Sequence, residues 1–123
     1  LFEICINGLV RCIQENLELE NFNTILTVAT GANRLGDQVA DRLHAWHMPS
    51  RKYEGHFYIP EQPRDASAIV LDDVYTTGSS MEKVKRIFRG NTIAAVAILN
   101  RSGREDPTLS DGTPVYSVIQ HSF

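Results

Sequence analysis

Cysteine is scarce: Cys5 and Cys12 are the only two in 123 residues. Seven positions apart on what reads as one helix, they sit about two turns from each other, beyond disulfide reach. They are expected to be buried thiols, with no disulfide framework holding the chain. An excess of positive charge is also lacking. Twelve Lys and Arg against fifteen Asp and Glu leave a net charge of −3, so no basic field is offered to nucleic acid. No apolar run approaches the roughly 20 residues that span a bilayer, and no signal peptide is visible. The expectation is a cytoplasmic protein with no membrane and no nucleic-acid partner. Repeats, low-complexity stretches and an internal linker are absent as well. The sequence opens on Leu1-Phe2 rather than methionine, which is compatible with an upstream segment carrying part of a binding site.

What is present is a globular composition, 42% hydrophobic and 22% charged, suited to one domain over 1–123. Phe2, Cys5, Leu9, Cys12 or Ile13, and Leu17 draw a helical stripe. TILTVA (24–29) reads as a short buried strand. Leu35, Val39, Leu43 and Trp46 share one helical face, predicting a helix over 34–47 that Pro49 stops near Met48. A short strand is expected around 50–54, then a loop over 54–65 with two prolines. SAIVL (67–71) is a β-branched apolar run, hence a strand. Met81, Val84, Ile87 and Phe88 predict a helix over 79–89, and TIAAVAIL (92–99) and PVYSVI (114–119) two more strands. Alternating apolar strands and amphipathic helices predict an α/β fold with a parallel sheet covered on both faces. In such sheets ligands sit beyond the carboxyl ends of strands.

The informative residues fall just there. Strand 67–71 runs into Asp72-Asp73, then Val74-Tyr75, then Thr76-Thr77-Gly78-Ser79-Ser80 and a helix. A turn rich in Thr, Gly and Ser at a helix start offers amides and hydroxyls to one phosphate, favoured by the positive end of the helix dipole. Gly78 permits close backbone approach and φ > 0. Two adjacent carboxylates can accept hydrogen bonds from a vicinal diol, such as the 2′- and 3′-hydroxyls of ribose, and help position hydrated Mg²⁺. Taken alone, an acidic pair is compatible with a plain strand end and a Thr-Thr-Gly turn with a plain helix cap. Apolar residues followed by DDxxTTGSS are far more specific.

This segment, IVLDDVYTTGSS (69–80), resembles the 5-phosphoribosyl 1-diphosphate (PRPP) motif of type I phosphoribosyltransferases. The resemblance implies that Asp72 and Asp73 contact ribose hydroxyls, and through them or through water a Mg²⁺ cofactor. It also implies that Thr76, Thr77, Gly78, Ser79 and Ser80 wrap the 5-phosphate. The family grips pyrophosphate with a loop after its first core strand, and Thr30, Gly31, Ala32 and Asn33 match that position. Arg51-Lys52 resembles the Arg-Lys pair preceding the mobile loop of orotate phosphoribosyltransferases, where cations would neutralise departing pyrophosphate. His56 is the corresponding loop histidine. The match departs there, since Tyr53-Glu54-Gly55-His56 has no second lysine and the span to the acidic pair is shorter. Residues 96–120 are similar to the end of the orotate enzymes, and DDVYTTGSS and RKYEGHF to competence-associated relatives. The resemblance covers most of 2–119. It implies a phosphoribosyltransferase-like core with the hood segment that contacts the base reduced or missing.

The implied activity is a Mg²⁺-dependent pentosyl transfer from PRPP to a nucleobase, orotate or a purine, releasing pyrophosphate, in a homodimer. Asp72, Asp73, Arg51, Lys52 and His56 are the implied catalytic residues. A regulatory domain that binds PRPP without turnover is the competing reading, with an unrelated nucleotide-binding α/β domain behind it. His44 and His47, near the predicted end of the second helix, read as surface residues rather than metal ligands.

Overall fold

The computed structural model describes residues 1–62 and 65–121. Helix α1 (Phe2–Asn16) buries Ile6, Leu9, Cys12 and Ile13, the three-to-four spacing that places apolar side chains on one face. Strand β1 (Thr24–Thr27) is buried throughout. Helix α2 (Gly31–Leu43) ends at His44, whose left-handed backbone (φ 56°) halts it. Strand β2 (Trp46–Pro49) follows at once. A separate hairpin pairs β3 (Arg51–Tyr53) with β4 (His56–Tyr58). Strand β5 (Ser67–Tyr75), helix α3 (Ser79–Ile87), strand β6 (Asn91–Asn100) and strand β7 (Val115–Gln120) complete the chain.

Five strands form one sheet in the order β2-β1-β5-β6-β7, and every neighbouring pair is parallel. Successive residues therefore enter opposite cores. Ile25, Ile69, Leu71 and Val96 pack with α1 and α2. Leu26, Ala68, Val70 and Ala95 pack with Met81 and Val84 of α3, with Phe88 just after it and with Leu109. Each fully buried Ile or Leu stabilises the fold by about 2 kcal/mol. On the first face Arg42 hydrogen-bonds Asn7 and Glu3, and Arg34 lies 4.4 Å over the Phe2 ring, tying α2 to α1. Cys5 and Cys12 are free, and burial pushes the Cys12 thiol up.

Three expected boundaries move. Residues 46 and 47 leave the predicted helix for β2, because the His44 cap turns the chain and Pro49 requires extended backbone before it. Pro49 is tolerated because β2 is an edge strand. The predicted 54–65 loop contains β4, since Glu54 (φ 49°) and Gly55 (φ 81°) make a two-residue turn. Pro63 and Arg64 of that loop lie outside the described residues. Strand β5 continues to Tyr75 rather than ending at Leu71, because β6 keeps pairing with it as far as Tyr75 with Asn100.

Candidate functional site

The chain runs outward from β1 to β2, then returns to the other side of β1 as β5. The winding therefore reverses between β1 and β5, and the crevice beyond their carboxyl ends is where such a sheet takes ligands. Strand β1 stops opposite Leu71, while β5 goes on for four more residues beside β6 alone. That step leaves Asp72 and Asp73 with no strand on the β1 side. The turn from β1 into α2 fills the ground in front of them.

The acidic pair straddles β5. Asp73 faces the start of α2: a Cβ placed on Gly31 would sit 3.1 Å from Asp73 Oδ2. Asp72 faces the other way, lining a small cavity of about 70 Å³ with Thr76, Thr77, Gly78, Ser79 and Ser80. The Asp73 amide donates to Asp72 Oδ1 and the Val74 amide to Asp73 Oδ1, each at 2.8 Å. Among the described residues, the second oxygen of each carboxylate accepts no backbone amide. Burial first, and then the neighbouring Asp73 side chain, push the Asp72 carboxyl up to about 7, against the Asp73 amide, which favours the charged form.

Gly78 (φ 81°) turns the chain into α3, which has no side-chain cap at its N-terminus. A Cβ there would strike Tyr75 Cε2 at 2.9 Å. The Ser79 amide reaches the Thr77 hydroxyl at 3.3 Å, a long bond that an anion can displace. Helix α2 likewise starts without a side-chain cap, after a cis Ala29–Thr30 peptide. Within its turn, Thr30 and Gly31 are exposed. Ala32 is fully buried with its amide on the Val28 carbonyl. Asn33 turns inward, its amide on the Thr30 carbonyl and its side chain on Thr27 and Ser50. The surface this turn offers to a ligand is therefore Thr30 and Gly31.

Arg51, Lys52 and His56 ride on the hairpin, all exposed. Among the described residues, no side-chain hydrogen bond or ion pair joins them to the acidic pair or to the 76–80 turn. Lys52 Nζ lies 5.2 Å from the Phe57 ring centroid. Arg51 borders a larger depression of about 810 Å³ at the open β2 edge, beside Trp46, Met48 and Pro60. His47, expected at the surface, instead has its side chain only 15% exposed and bonded to Thr27, and with Ser50, which the sequence did not single out, it supports the 29–33 turn from behind. Sequence reading also left out Arg101, whose amide bonds the Tyr75 carbonyl beside the motif. The signal for Arg101 was its place at the carboxyl end of a strand.

Among the described residues, no group of three or more His, Cys, Asp or Glu side chains is arranged to hold a metal ion. The residues present fit a different arrangement. Two adjacent carboxylates, each with an oxygen that takes no backbone amide, would suit a hydrated Mg²⁺ completed by substrate oxygens rather than a protein cage. Among the described residues, no helix is long and apolar enough to cross a membrane.

The fold is that of the type I phosphoribosyltransferases. No family model matches the chain, and no curated protein matches it in sequence. Solved structures do. Orotate phosphoribosyltransferase from Aeropyrum pernix superposes with a TM-score of 0.77 at 22% identity, over 97% of this chain and 71% of that one. Adenine phosphoribosyltransferase from Rhodothermus marinus gives 0.74 at 18%, over 97% and 78%. The adenine enzyme of Saccharomyces cerevisiae gives 0.72 at 18%, over 96% and 78%. It was solved with an iminoaltritol bisphosphate and adenine.

Proposed function

We propose that this domain, residues 1–123, transfers the 5-phosphoribosyl group from PRPP to a nucleobase, orotate or a purine, and releases pyrophosphate. One observation carries the reading: at the point where the sheet reverses, an acidic pair stands between two helix starts that lack side-chain caps. That is the shape of a sugar bearing phosphate at both ends. A relative of the same fold holding a bisphosphorylated sugar mimic with adenine supports it.

In this reading Thr76–Ser80 hold the 5-phosphate, Asp72 and Asp73 the ribose hydroxyls, and Thr30 and Gly31 the diphosphate. Asp72 and Asp73, together with substrate oxygens, would hold a Mg²⁺, which would supply charge neutralisation for the leaving group. A base nitrogen forms a bond to the anomeric carbon as the bond to the diphosphate oxygen breaks; the electron pair leaves with pyrophosphate, and the proton of the base nitrogen passes to solvent. The chain holds the ring and orients both ends, so no protein nucleophile is required. Arg51, Lys52 and His56 meet the leaving group when the hairpin swings toward the acids. A homodimer in the cytoplasm goes with this assignment.

The exposed hairpin, unattached to the acidic pair, favours a second reading in which PRPP is bound and not turned over. One assay separates the two. The protein is incubated with PRPP, Mg²⁺ and a panel of bases, and pyrophosphate is measured. Base-dependent release is the expected result. Tight PRPP binding without release assigns the domain to regulation, and absence of PRPP binding defeats both.

A further inference from the structure

Behind the turn that follows β1, buried polar groups join three segments of the chain. Ser50 Oγ donates to the Thr27 carbonyl at 2.6 Å and accepts the Ala29 amide at 2.8 Å. Asn33 Nδ2 donates to the Ser50 carbonyl at 3.0 Å. Thr27 Oγ1 lies 2.5 Å from Asn33 Oδ1 and 2.9 Å from His47 Nε2. His47 Nδ1 is 3.6 Å from Asp37 Oδ1.

The backbone dictates the direction of each bond from Ser50 to His47 Nε2, whereas the Asp37 carboxylate, 3.6 Å from Nδ1, lies beyond hydrogen-bond length. A carbonyl only accepts, so Asn33 must turn its amide nitrogen to Ser50 and its oxygen to Thr27. That oxygen only accepts, so the single hydroxyl proton of Thr27 goes to Asn33. Thr27 Oγ1 can then only accept from His47, and Nε2 must carry a hydrogen. The opposite tautomer would take the Thr27 proton and leave the half-buried Asn33 oxygen without its donor. Space enforces the arrangement: a Cβ on Gly36 would lie 2.0 Å from Thr27 Cγ2 and 3.2 Å from His47 Nε2.

The geometry points to His47 as a positioning residue for the 29–33 turn, its Nε2–H closing a one-way hydrogen-bond relay through Thr27 and Asn33. This rests on the reading above, in which the front of that turn meets the diphosphate. Ala29 and Asn33 are held from behind while Gly31 stands against Asp73. His47 itself touches no substrate.

The test compares two ligands. Ribose 5-phosphate engages only the 76–80 turn and the acids, whereas PRPP also needs the 29–33 turn. His47→Phe is expected to weaken PRPP about tenfold, the size of one lost hydrogen bond, and to leave ribose 5-phosphate within about twofold. His47→Gln, which keeps an N–H donor, restores PRPP affinity. Parallel loss of both ligands, or loss of neither, overturns the relay. On the free wild-type protein at pH 8, ¹⁵N-histidine NMR should place a proton on Nε2, and an Nε2 without a proton overturns the relay whether or not PRPP binds. If wild type binds neither ligand, the proposed function falls, and the relay is judged on that proton and on Ala29 amide exchange. Exchange should quicken in His47→Phe and not in His47→Gln; equal exchange in all three proteins counts against the relay.

Discussion

Asp72 lies half-buried where β5 has lost its neighbour on one side, and burial is the main reason its carboxyl is pushed up to about 7. Its unfolded value is the ordinary one, near 3.8, so between those two pH values the folded protein retains a proton that the unfolded chain releases. The stability this confers is full below the unfolded value and is lost as pH rises through about 7. Asp72→Asn should therefore melt above wild type at pH 8, by at least about 3 °C, with the gap closing toward pH 4. Thermal melts across that range check it, and a gap that grows as pH falls would remove the assignment. The same change together with Asp73→Asn should weaken PRPP by about tenfold or more, since bonds to charged acceptors are lost. Gly31→Ala addresses the other carboxylate. Its backbone lies outside the left-handed region, so the methyl acts only by crowding Asp73 Oδ2 at 3.1 Å. Titration calorimetry should find PRPP weakened about fivefold with Tm changed by less than about 2 °C.

Among the elements, α3 and the turn before it depend most on a single residue. Gly78 (φ 81°) has Tyr75 Cε2 at 2.9 Å and Leu109 Cδ2 at 3.4 Å from the place a Cβ would take. Gly78→Ala should cost about 1–3 kcal/mol in urea denaturation and abolish ribose 5-phosphate binding, and normal binding would show that the turn does not hold the phosphate. This turn was legible because its chemistry is local: an apolar strand, two acids and a Thr-Gly-Ser run lie in unbroken sequence. The buried strands were legible for a similar reason, as β-branched runs such as Ile69–Leu71 enter both cores. The end of α2 was not. Leu35, Val39, Leu43 and Trp46 keep helical spacing, yet Trp46 is 74% exposed on β2, because a left-handed cap at His44 shows no mark in side-chain pattern. The inward turn of Asn33 was equally hidden, since its partners Thr27 and Ser50 meet it only when β1 and β2 pair.

At the scale of the whole molecule, the sheet is two unequal leaves joined at β1–β5. That seam has four paired positions, 24–27 with 68–71, whereas β5 and β6 pair from Ser67 to Tyr75. The site described above stands across the seam, with Thr30 and Gly31 on one leaf and Asp72 to Ser80 on the other. A ligand gripped at both ends thus adds a tie between the leaves that the short ladder lacks. PRPP at about a hundred times its Kd should stabilise the fold by about 2.7 kcal/mol, a rise in Tm of about 10 °C for a domain of this size. The location of the effect is more diagnostic than its size. Amide exchange should slow in 28–33 and in 76–80 together with PRPP, but only in 76–80 with ribose 5-phosphate. Protection confined to one leaf with PRPP would mean that the ligand does not bridge the seam, and the diphosphate would then have to be sought away from the turn after β1.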